Sequence, residues 1–123
     1  MFSVRVEDSF AAAHYLKNYH GKCERLHGHN YRVRVTVSGK KLNGGGMLID
    51  FGILKDALKE VLTRYDHRNL NELDEFKEGD PSAEKIAYTI YQNLNKLIVT
   101  EGIEITSVEV FETEKNLAIY SPD

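Results

Sequence analysis

Residues 23–38 read CERLHGHNYRVRVTVS. From Tyr31 the run alternates, with Tyr31, Val33, Val35 and Val37 on one parity and Arg32, Arg34, Thr36 and Ser38 on the other. A period of two predicts a half-buried β-strand. His27 and His29 extend the apolar parity backwards, and side chains two apart on a strand leave from one face. The strand therefore opens with two imidazoles aimed at the core side.

Working outward, residues 2–14 alternate in the same way. Phe2, Val4, Val6, Phe10 and Ala12 share the even parity, and His14 falls on it too, provided no bulge intervenes. A polar segment, YLKNYHGK, joins the two strands and places three histidines on the inward faces of neighbours. KKLNGGG predicts a turn and MLI a short strand after it. Asp50 predicts an N-cap, followed by a helical stripe of Phe51, Leu54, Leu58, Val61, Leu62 and Tyr65. Residues 66–79 read as a polar connection. Asp80-Pro81 predicts a second helix start, with Ile86, Ala87, Ile90, Tyr91, Leu94, Leu97 and Ile98 inward and a stop near Gly102. ITSVEVFET and NLAIYS are two closing strands around a turn at Glu114–Asn116. The order ββααββ predicts an α+β two-layer fold, an antiparallel sheet with two helices on one face, in a single domain over 1–123.

The 123 residues suffice for a core. With 41% hydrophobic and 28% charged residues and two prolines, an ordered soluble fold is the expectation. The net charge of -3, from 16 basic and 19 acidic residues, carries no basic run of the kind that binds nucleic acid. No stretch reaches membrane-span length and MFSVRVEDSF lacks the apolar core of a secretory signal. The single cysteine, Cys23, reads as a free thiol in a reducing, cytoplasmic setting.

His14, His27 and His29 form a three-imidazole set with an open position, the pattern of catalytic zinc; structural zinc sites are usually closed and rich in cysteine. An HxH pair on its own is equally the mark of a hydrogen-bonded core histidine, and the third histidine at matched parity shifts the balance. Cys23, in a polar loop beside Lys22 and Arg25, admits two readings: an activated thiolate, or a fourth zinc ligand that closes the site. Asp66-His67 is either a helix-exit charge and turn or a carboxylate-backed imidazole that moves protons near neutral pH. Glu112 shares the parity of Val108 and Val110. A buried carboxylate needs a partner, either an arginine or a planar ligand offering two parallel N–H groups, unless it lies at the exposed strand end.

The ordered series FAAAH, CERLHGHNY, DFGILK, LTRYDHRNLN, DPSAEKIA and VEVFETEKN, spanning about residues 2–120, resembles the 6-pyruvoyl-tetrahydropterin synthase / 6-carboxy-5,6,7,8-tetrahydropterin synthase family. The resemblance implies a T-fold, a homohexamer built as a dimer of trimers with active sites between subunits, Zn2+, and 7,8-dihydroneopterin triphosphate as substrate. It implies His14, His27 and His29 as metal ligands, Cys23 as catalytic thiol with Asp66 and His67 as proton-handling partners, and Glu112 and Ser82 at the pterin. Some of Lys17, Lys22, Arg25 and Lys115 would meet the triphosphate. CxxxHGH resembles the branch that makes 6-carboxytetrahydropterin, with acetaldehyde and triphosphate, for deazapurines such as queuosine. Animal 6-pyruvoyl enzymes carry two more residues between Cys and HGH. Glu24 makes the segment ExxHGH as well, the mark of a branch that makes 6-hydroxymethyl-dihydropterin for folate, and CExxHGH resembles members credited with both activities. Ser82 stands where threonine is frequent, keeping the hydroxyl, and Lys85 where asparagine is common. Two other readings share the three-histidine site: a non-catalytic zinc-stabilised module that binds a pterin or a protein, and a zinc hydrolase, which leaves Cys23 and Glu112 without a job.

Overall fold

A computed structural model describes residues 1–22, 24–98 and 100–123. The elements run β1 (Phe2–His14), β2 (His27–Gly39), α1 (Phe51–Thr63), β3 (Arg68–Asn69), α2 (Ala83–Leu97), β4 (Ile103–Phe111) and β5 (Leu117–Tyr120). Among the described residues the strands form one sheet in the order β3-β1-β2-β4-β5, antiparallel throughout except for β3 against β1. The α+β reading, with the helices packed over one sheet face, holds.

Alternation does what the sequence pattern asks of it. Val6, Phe10, Tyr31, Val33, Val35 and Val37 are buried, and α1 and α2 cover them with Leu54, Leu58, Ile86, Ile90 and Leu94. β1 and β2 pair without interruption from Phe2↔Gly39 to His14↔His27, so parity is conserved along both. A bulge at Thr106, between the pairs Thr36↔Ser107 and Val37↔Ile105, puts Ile105 inward alongside Val108 and Val110 despite the change of parity. The opposite sheet face is polar: Glu7 accepts from Arg34 at 2.7 Å, Arg5 lies 3.4 Å from Glu109, and Arg32 stacks on Phe111.

Four expectations are corrected. Residues 47–49 do not form a strand; Leu48 and Ile49 enter the core from irregular chain. Phe51 is 52% exposed, so the inward stripe of α1 begins at Leu54, behind the expected Asp50 cap on the Gly52 N–H. The second helix is capped by Ser82, whose Oγ accepts from the Lys85 N–H at 3.2 Å, and it ends at Leu97, well before Gly102. Asp80 and Pro81 are engaged elsewhere. The connection 66–79 is only partly polar in function: it holds β3, two 3-10 turns at Leu70–Glu72 and Asp74–Phe76, and the fully buried Leu70 and Phe76.

Candidate metal centre and its surroundings

The uninterrupted β1–β2 register sets His14 opposite His27, with His29 two residues further along β2. Their rings pack edge to face, with centroids 4.6 Å (His14–His27), 4.9 Å (His27–His29) and 5.1 Å (His14–His29) apart. One donor atom from each lies within 4.8 Å of the others. The second nitrogen of two rings is committed to main chain: His14 Nδ1 to the Pro81 carbonyl at 2.8 Å, His27 Nδ1 to the Arg25 carbonyl at 2.9 Å. Such carbonyl partners fix the tautomer and leave Nε2 unprotonated. The Nε2 atoms of His14 and His29 are buried without a hydrogen-bond partner among the described residues. Unpaired buried nitrogens are costly, and two of them in one imidazole cluster fit a cation as their partner. Burial pushes the His29 imidazole below its ordinary value, with Glu112 pulling the other way, which favours the neutral, ligating form. These three residues can hold a metal ion.

Glu112 follows the end of β4 and sets Oε1 3.4 Å from His29 Nε2, outside hydrogen-bond geometry. It is neither salt-bridged to an arginine nor fully exposed: its side chain is one-third accessible, facing the imidazole cluster. Tyr31 closes the floor, its ring 5.4 Å from that of His29 and 5.8 Å from that of His14. Burial, with Glu112 and Glu24 adding, raises the pKa of its phenol well above the ordinary value.

Glu24 is tied to the chain that leaves β1. Its N–H donates to the Leu16 carbonyl and its Oε1 accepts the Leu16 N–H, both at 2.9 Å. Within this loop Tyr19 and Lys22 pair in both directions around His20 and Gly21, which share positive φ. Cys23 lies outside the described residues. Ser82 Oγ accepts the cap bond from the Lys85 N–H, which leaves its hydroxyl proton free to donate. Of the basic candidates, Lys17 donates to the Lys77 carbonyl at 3.1 Å, and Lys22, Arg25 and Lys115 are exposed.

Asp66 and His67 sit on the β3 side of β1. Asp66 Oδ1 accepts the Ala11 N–H at 2.9 Å and its Oδ2 lies 3.0 Å from His67 Nδ1. The Ala11 amide chiefly, with His67 adding, holds the Asp66 carboxyl below its ordinary value. His67, at φ 59, donates its N–H to the Ala11 carbonyl at 2.6 Å. Its side chain is 82% exposed and borders a depression with Ala11, Ala13, Asn30 and the candidate ligand His29. One chain thus brings His14, His27, His29, Glu112 and Glu24 together and leaves the His67 side chain exposed beside them, bonded to Asp66.

Two residues complete the picture, Asn71, which carries no sequence-level signal, and Asp80, which the sequence marks only as a helix start. Asn71 is buried and pairs with both polar groups of the Tyr15 main chain, and Asp80 accepts from the Lys17 and Asn18 amides.

The sheet and helix pair are the fold of solved 6-pyruvoyl tetrahydropterin synthase structures, and they carry a three-histidine cluster that can hold a metal ion. A family model described as 6-pyruvoyl tetrahydropterin synthase matches residues 3–123, and the chain belongs to that family. It is 36% identical to the 6-carboxy-5,6,7,8-tetrahydropterin synthase of Bacillus subtilis (strain 168), across 98% of this chain and 86% of the relative. The 6-pyruvoyl tetrahydropterin synthase of Caenorhabditis elegans superposes with a TM-score of 0.87 at 29% identity, covering 99% of this chain and 96% of the other. A catalytic-residue variant of the Plasmodium vivax 6-pyruvoyltetrahydropterin synthase, with cysteine in place of glutamate, superposes at 0.83 with 25% identity, covering 99% of this chain and 98% of that one.

Proposed function

We propose that this chain is a zinc-dependent 6-carboxy-5,6,7,8-tetrahydropterin synthase that converts 7,8-dihydroneopterin triphosphate and one water to 6-carboxytetrahydropterin, acetaldehyde and triphosphate, a cytoplasmic step toward deazapurines such as queuosine. The observation that carries the reading is the cluster itself: three imidazoles with inward nitrogens beside Glu112, at the mouth of a loop that reads CExxHGH. The name of the Bacillus subtilis relative, similar over nearly the whole chain, supports the 6-carboxy product.

Bound by His14, His27 and His29, zinc would supply Lewis acidity to the hydroxyls of the substrate side chain. Glu112 binds the N–H edge of the pterin and sets the ring's distance from the imidazoles; such positioning lowers a barrier by several kcal/mol, roughly. Cys23, as thiolate, moves a proton at the substrate side chain, and His67, oriented by Asp66, accepts or returns it. Ser82 adds a hydroxyl proton at the pterin side of α2. The His67 side chain is largely exposed and paired with Asp66, and in this reading it serves the cluster of a neighbouring copy. A dimer of trimers with shared sites is the assembly we assign.

A second reading has an observation behind it. The Plasmodium vivax relative has a catalytic glutamate, and Glu24 stands beside Cys23, so the 6-hydroxymethyl product for folate is the competing outcome. Against it, one oxygen of the Glu24 carboxylate already accepts from the Leu16 amide, which holds the side chain against its own loop. Zinc-loaded protein incubated with 7,8-dihydroneopterin triphosphate separates the readings when products are identified by mass spectrometry. We expect the 6-carboxy pterin, its loss in Cys23→Ala, and its survival in Glu24→Ala. A 6-hydroxymethyl product that depends on Glu24 alone would replace this reading with the folate one, and unchanged substrate would leave a metal-binding pterin module.

A further inference from the structure

We infer that Asn71 and Asp80 are positioning residues of the metal centre, gripping the main chain that leaves the ligand His14. The inference rests on the metal-binding reading of the three histidines. β1 stops at His14, yet the next four N–H groups are all engaged by side chains. Tyr15 donates to Asn71 Oδ1 at 2.9 Å, Leu16 to Glu24 Oε1 at 2.9 Å, Lys17 to Asp80 Oδ1 at 2.9 Å and Asn18 to Asp80 Oδ2 at 3.4 Å. Asn71 also returns a bond, Nδ2 to the Tyr15 carbonyl at 2.9 Å. Its amide acts as a one-residue strand, offering the donor and acceptor that a neighbouring backbone would offer. Asn71 is itself fixed, buried and held by the Asn69 side chain on its own N–H at 3.1 Å.

Asp80 works from the other side. Its carboxylate makes charge-assisted bonds to main-chain amides, and the next residue, Pro81, accepts the His14 Nδ1–H. The ring of His14 and the peptide groups just past it are therefore held by two short segments that contribute no ligand. Groups bonded directly to a metal ligand change metal affinity by about 10- to 100-fold when removed; Asn71 and Asp80 act one step out, through the adjoining main chain, so the low end of that range is expected of them. General fold stabilisers change the melting temperature and leave the affinity of the folded protein alone. That difference separates the two roles.

The test measures Zn2+ affinity by competition with a chelating dye, and ligand geometry from the absorption spectrum of the Co2+-loaded protein. The set is wild type, Asn71→Ala, Asp80→Ala and Arg64→Ala; the last breaks the remote Arg64–Glu75 pair and serves as a stability control. Zn2+ binding about 10-fold weaker, the low end for outer-shell groups, and an altered Co2+ spectrum are expected for the two clamp variants, with neither change in Arg64→Ala. Folded clamp variants with wild-type affinity and spectrum would overturn the inference, as would an equal loss in Arg64→Ala. Should Asn71→Ala fail to fold, the near-isosteric Asn71→Asp, which lacks the donor to the Tyr15 carbonyl, is read by the same two measurements. Wild type without Zn2+ affinity would instead remove the metal-centre reading on which this one stands.

Discussion

At Glu112 the chain places a carboxylate 3.4 Å from His29 Nε2, two residues past the buried Val110. Strand parity makes this residue visible in sequence, since an acid on an apolar parity demands a partner. The same logic exposes His14, His27 and His29, because β1 and β2 pair without a bulge and every second side chain stays inward. No comparable rule finds Asn71 or Asp80. Their partners are backbone amides 56 and 63 residues away, and any polar loop residue looks alike until the loop is folded. If Glu112 holds the N–H edge of the ring, Glu112→Ala loses hydrogen bonds to a charged acceptor, each of about 1.5–3 kcal/mol. KM should rise roughly tenfold or more while zinc content is unchanged. Unaltered KM and rate would remove Glu112 from substrate binding.

Among the elements, α1 and α2 announce themselves by stripe and cap, and where the sequence misplaces a start the reason is competition. Asp80-Pro81 and Ser82 are adjacent cap signals of similar strength. The loop amides of Lys17 and Asn18 take Asp80, so the helix begins one residue after Ser82. β3 escapes any periodicity test with two residues; Asp66 and Asn71 extend its pairing with side chains on Ala11 and Tyr15. The second 3-10 turn, Asp74–Phe76, is tied to the end of α1 by Arg64, which donates Nε and an Nη to both oxygens of Glu75. The Arg64 hydrogen bond holds the Glu75 carboxyl below its ordinary value of 4.5. A depressed folded value means the stabilisation is present above 4.5 and is lost as pH falls through the folded value. The melting temperature should drop across that acid window in wild type and drop less in Arg64→Ala. Identical acid profiles would show that the pair contributes nothing.

For the whole molecule, the proposed division of the site between copies is open to a direct test. If the exposed His67 serves the imidazole cluster of a neighbouring copy, His27 and His67 are contributions of different chains. His27→Ala and His67→Ala should each be inactive, and a mixture dissociated and reassembled should recover activity through sites that receive one intact half from each. Recovery absent from a properly reassembled mixture would place the complete site within one chain. No helix among the described residues is long and apolar enough to cross a membrane.

The β1–β2 register has a temporal side. Synthesis runs from the N-terminus, and all three imidazole donors have been made by residue 29, on two strands that pair with each other. His27 has its carbonyl partner at Arg25 by then. The groups that hold His14 and the chain leaving it, Asn71, Asp80 and the Pro81 carbonyl, belong to segments made well after β2 is complete. The nascent chain owns its donors long before it owns the parts that hold His14 still.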